Sequence, residues 1–148
     1  MIAALARFFA LPGREQRSTC EAALLLLVVR VALALLPLPR ALRLFGIAQA
    51  ATRSGQVDPN HVDPNQAAFI GQAVARAARH VPFRAVCLQQ AFAALLMLRR
   101  RGLTGTVHFG LLREGSELKA HAWSRCGDVP VTGVAAARGF APVAVFGI

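Results

Sequence analysis

From Ala22 to Leu36 every side chain is apolar except Arg30, and Pro37 closes the run. Ser18, with Glu21 three residues on, has the spacing of a capping box, so the pattern predicts a long helix over residues 19–36. Fifteen apolar residues at 1.5 Å each give about 22 Å, short of the roughly 30 Å of a bilayer's hydrocarbon, and an arginine at mid-helix costs about 2.5 kcal/mol or more in lipid. The helix is therefore expected to bury itself against the domain or a partner, with membrane contact the lesser expectation.

A second helical stretch, RALRLFGIAQAAT, is expected to end near Arg53. RSGQVDPNHVDPNQ follows and is rich in turn formers, which marks a linker. Its second ValAspProAsn starts a helix predicted from Pro64 to about Arg79, with Asp63 as cap, proline in the first turn and Gln66 at the capping-box position. HisValProPhe at 80–83 interrupts the helical pattern, since a residue before proline avoids the helical region. A new helix is predicted from Arg84 or Ala85 to Gly102, its end marked by the three basic residues Arg99, Arg100 and Arg101 and by the glycine. Beyond it the texture turns to strand: TGTVHFGLLR, a turn at EGSE, LKAHAWSRC, a turn at Gly127 and Asp128, then VPVT. Helices first and an antiparallel sheet afterwards make an α+β chain, one compact domain with a hydrophobic helical region at 1–56 and a core at 57–148.

Composition narrows the classes. At 148 residues one core suffices, and 55% hydrophobic against 16% charged residues excludes a disordered tail. A mean hydropathy of +0.48 leaves apolar surface for a partner or a membrane. The net charge of +10 is almost wholly arginine, Lys119 being the single lysine. Those arginines form no basic stripe interleaved with aromatics, so nucleic acid is not the expected partner. Cys20, Cys87 and Cys126 are an odd set without CxxC spacing, which points away from disulfides and toward a reducing cytosol. The N-terminal stretch lacks the basic start and small-residue cleavage site of a secretion signal, and a cytoplasmic location is expected. No metal-ligand spacing and no phosphate-binding loop occur, so neither a metal nor another cofactor is expected.

Two side chains carry candidate chemistry. Cys87 falls in the first turn of the helix after the proline break, where unpaired N–H groups and the helix dipole favour a thiolate and supply oxyanion donors. His121 lies on the LKAHAWSRC strand and shares a face with Lys119 and Trp123. A cysteine at a helix start, a hairpin, then a histidine on its second strand is the order of a nucleophile and its base.

VPFRAVCLQQAFAALLMLRRRGLTGTVHFGLL followed by AHAW resembles the transglutaminase-like cysteine peptidases of lasso-peptide biosynthesis, the B-type maturation proteins. The resemblance runs upstream to the hydrophobic helix with its ProLeuProArg and downstream to the closing GFAPVAVF. It implies a papain-like or transglutaminase-like fold and removal of the leader from a ribosomally made precursor peptide. Cys87 would be the nucleophile and His121 the base. It further implies two partners, a small separate leader-recognition protein and an ATP-dependent cyclase. The family places an aspartate on the strand after the histidine, where this chain has Gly133. Asp128 is a turn residue too far along the strand, so the remaining groups to orient His121 are the Thr132 hydroxyl, a backbone carbonyl, Glu114 or Glu117. A degenerate, non-catalytic subunit that docks the maturation partners or a membrane is the rival expectation, and an acyl transferase using the same nucleophile is another.

Overall fold

The computed structural model describes residues 2–49 and 61–148. Five helices, α1 (Ile2–Phe9), α2 (Gly13–Leu35), α3 (Leu38–Leu44), α4 (Pro64–Ala78) and α5 (Cys87–Arg100), accompany five strands, β1 (Ala48–Gln49), β2 (Thr106–Glu114), β3 (Glu117–Cys126), β4 (Val129–Thr132) and β5 (Ala141–Gly147). The strands form one antiparallel sheet in the order β1-β5-β2-β3-β4. This is the α+β arrangement expected from the sequence, except that the two-residue β1 precedes α4 and α5 instead of following all the helices.

α5 is the centre of the molecule. Gln89 and every residue from Ala91 to Leu98 are buried, because α2 and α4 cover one side of the helix and the sheet covers the other. Its alanines at 91, 93 and 94 let neighbours approach closely, while Phe92, Leu95, Met97 and Leu98 supply bulk, each worth about 1.5–3 kcal/mol of burial. Phe92 stands edge-on to Phe45 on one side and to Phe109 of β2 on the other. Ion pairs tie the helices together. Arg101 grips the Glu21 carboxylate with both Nη atoms, at 2.8 and 3.2 Å, and Arg76 of α4 reaches Glu15 of α2 at 2.9 Å.

Local signals hold where capping chemistry is local. Asp63 Oδ1 accepts from the N–H groups of Asn65 and Gln66, with Pro64 in the first turn, and α4 begins there. Gln66 does not complete the box: its Oε1 is buried without a hydrogen-bond partner. α5 ends as expected, with Gly102 in the left-handed region at φ 69°. Other boundaries differ. α2 starts at Gly13, so Ser18 and Glu21 lie inside the helix, and Glu21 serves the ion pair with Arg101 instead of a cap. The stretch expected to be helical to Arg53 stops at Leu44, because Gly46 at φ 64° turns the chain into β1. The linker around the first ValAspProAsn lies outside the described residues. β5 has no counterpart among the expected strands; it inserts between β1 and β2 as a central strand.

Candidate active site

Cys87 is the first residue of α5. Val86 precedes it in extended backbone and donates its N–H to Gln89 Oε1 at 3.3 Å, while Gln90 Nε2 donates to the Ala85 carbonyl at 2.8 Å. The two glutamines so fasten the entering chain to the first turn. The first N–H groups of a helix have no intrahelical acceptor and carry the positive end of its dipole. The Cys87 thiol is half-buried and free.

β2 and β3 form a long hairpin through a two-residue turn at Gly115, with Glu114 opposite Glu117. That register sets Phe109 against Ala122 and Val107 against Ser124, and these residues face α5. Side chains alternate along a strand, so His121, Trp123 and Arg125 project from the other face, with Gly110, His108 and Thr106 opposite them. On that face the rings stack in a row. His108 lies on Trp123 with centroids 5.6 Å apart, Trp123 on His121 at 6.0 Å, and Phe140 tilts against His121 at 5.4 Å. Gly110 makes room, since a Cβ there would come within 2.7 Å of the indole and 3.0 Å of Phe140.

One hydrogen bond orients His121: Nε2 lies 2.8 Å from the carbonyl oxygen of Gly133. A carbonyl only accepts, so Nε2 carries the ring proton of the neutral imidazole, and Nδ1 keeps its lone pair. Gly133 adopts φ 70°, and a Cβ would sit 3.0 Å from the Ala122 carbonyl and 3.1 Å from His121 Nε2. Glycine is thus what lets the backbone come up to the ring at the position where the resemblance leads one to expect an aspartate. Of the candidates left open by the sequence, the backbone carbonyl is the one in place. Thr132 directs its hydroxyl elsewhere, to Ser124 Oγ at 2.7 Å in the buried interior, because the pairing of Ser124 with Thr132 puts both on the helix side of the sheet. Glu114 pairs with Lys119 near the hairpin tip, and Glu117 is exposed there. Asp128 occupies the two-residue turn between Cys126 and Val129, as expected.

α5 packs on β3, so the elements bearing Cys87 and His121 touch. By strand alternation His121 leaves β3 on the face away from the core residue Ala122, and no hydrogen bond joins it to Cys87 among the described residues. Beside the histidine stack lies an open cleft of about 410 Å³, lined by Trp123, Arg125, Val134, Ala135, Ala137 and Arg138. Burial, reinforced by the Arg125 charge, holds the His108 imidazole below its ordinary pKa, and its Nε2 meets Thr106 Oγ1 at 3.0 Å. Burial pushes the Cys126 thiol up, at the other end of α5 from Cys87. Cys20 is exposed on α2. Sequence reading missed His108 and Phe140 as neighbours of the histidine. The turn at EGSE carries the signal for the first, because pairing Glu114 with Glu117 places His108 opposite Trp123.

Among known protein families, the model described as the transglutaminase-like superfamily matches residues 32–145, a span that runs from the end of α2 through most of β5 and includes both candidate residues. No curated protein and no solved structure matches the chain.

Proposed function

The chain belongs to the transglutaminase-like superfamily, which includes cysteine peptidases, and from that premise we propose that it is a cysteine peptidase that removes the leader from a ribosomally made lasso-peptide precursor. In the proposed reaction His121 Nδ1 takes the Cys87 proton and the thiolate attacks the carbonyl at the leader-core junction. The Cys87 N–H at the helix start holds the oxyanion. The imidazolium then gives its proton to the departing amine, and water hydrolyses the thioester. The observation that supports His121 as a base is its hydrogen bond to Gly133, which leaves Nδ1 as the acceptor that a general base needs. The partners belong to the same proposal: a precursor peptide, a small leader-recognition protein and an ATP-dependent cyclase. Incubating precursor and recognition protein with wild-type chain or Cys87→Ala tests it. Cleavage by the wild type alone is expected, and equal cleavage by both would overturn it.

Two observations favour a second reading, a non-catalytic subunit that docks the maturation partners. A carbonyl stands where a carboxylate would stabilise the imidazolium, and by strand alternation the His121 ring projects from the face opposite the core residue Ala122. Thiol reactivity separates the two. A fast-alkylating Cys87 supports the peptidase, and an inert one supports the docking subunit.

A further inference from the structure

Large apolar side chains stand exposed along one side of α2: Leu24 (60% exposed), Leu27 (46%), Val28 (42%), Val31 (47%) and Leu35 (76%). Their spacing of three and four residues puts them on one stripe, opposite the face on which Ala22, Leu26, Val29 and Ala32 are wholly or almost wholly buried. The only charge within the run is turned aside, for the Arg30 guanidinium lies over the Phe83 ring at 4.9 Å and Nη1 donates to the Arg84 carbonyl at 3.4 Å. Only a third of the most apolar window of α2 is buried. Leu44 of α3 and Phe9 of α1 add exposed apolar surface near the two ends of the helix. Exposed arginines flank the stripe: Arg17 before it, Arg40 and Arg43 after it, while Arg14 stacks on the Phe69 ring of α4 at 4.5 Å.

We propose that this stripe is a docking face for an anionic lipid surface, with α2 lying along the membrane and not crossing it. Three features select that occupant. From Leu24 to Leu35 the stripe offers no hydrogen-bonding side chain, which suits a hydrocarbon phase. The arginines at its ends are placed for anionic headgroups. The net charge of +10 opposes a second copy of the same chain and favours a negative surface. The opposite face of α2 is held by α4, α5 and the pairs from Glu15 and Glu21, so the helix stays on the protein while its free side enters the interface.

Co-sedimentation of the full chain with vesicles tests this, comparing phosphatidylcholine alone with phosphatidylcholine containing phosphatidylglycerol. The wild type is expected to sediment with the anionic vesicles, to be released by salt, and to stay in solution with the neutral ones. Leu27→Glu with Val31→Glu is expected to lower the bound fraction roughly tenfold while circular dichroism stays that of the wild type, since both positions are exposed. A wild type that remains in the supernatant, or that self-associates instead of binding vesicles, would overturn the proposal, as would equal binding by the double variant. The readout is partitioning, so its failure leaves the peptidase proposal untouched.

Discussion

Gly133 concentrates the chemistry of the histidine side. Its left-handed backbone and bare Cα allow a carbonyl to reach Nε2 of His121, and any Cβ meets both that nitrogen and the Ala122 carbonyl. Gly133→Ala is expected to cost about 1–3 kcal/mol, measurable by urea denaturation, from the unfavourable φ and the crowding together. Gly133→Asp carries the same Cβ, so it is expected to lower turnover instead of restoring a triad. Thr132 acts differently. Its hydroxyl serves Ser124, so Thr132→Val is expected to cost about 1–3 kcal/mol of stability through the orphaned serine and to leave turnover unchanged. His108 gives a pH dependence. The folded state holds its pKa below the unfolded value of about 6.5, so its contribution is fully present above that pH. As pH drops from there toward the lower folded value, the unfolded chain takes up the proton first and stability declines. His108→Gln is expected to flatten that acid-side decline in thermal melts.

At the level of elements, the approach of α4 to β4 depends on one missing methyl group. A Cβ at Gly71 would lie 2.4 Å from the Val131 carbonyl oxygen, on a strand kept in place by its pairing with β3. Alanine is the better helix former by about 1 kcal/mol, but overlap with backbone oxygen is not relieved by turning a side chain. Gly71→Ala is therefore expected to destabilise by about 1–3 kcal/mol in the same denaturation assay. Elements whose ends are set by local chemistry were legible. Asp63 with Pro64 opens α4, Gly102 ends α5, and the Gly127–Asp128 turn joins β3 to β4. The start of α2 was not, because Ser18 and Glu21 have the residue types of a cap but use them in bonds to Arg101. β5 was hidden for another reason. Pro142 lacks an N–H and Val143 is exposed beside a register shift against β2, so the strand shows no clean alternation.

For the whole molecule, residue order was enough to place a cysteine at a helix start and a histidine on the second strand of a hairpin, and the superfamily match covers both. Which face of the sheet the histidine occupies was within reach too, since alternation ties it to Trp123. Whether that face and the start of α5 come to share one reaction site depends on how the sheet curves and on what binds, and neither is written in local pattern. The proposed peptidase reaction requires the Cys87 sulfur and the His121 Nδ1 to work as one unit. Alkylation of Cys87 by iodoacetamide across roughly pH 5 to 9 measures that coupling, in a Cys20→Ser background that removes the other exposed thiol. With His121 present the thiol is expected to react about tenfold faster near neutral pH than in the His121→Ala chain. Superimposable pH profiles for the two proteins would contradict a shared nucleophile and base.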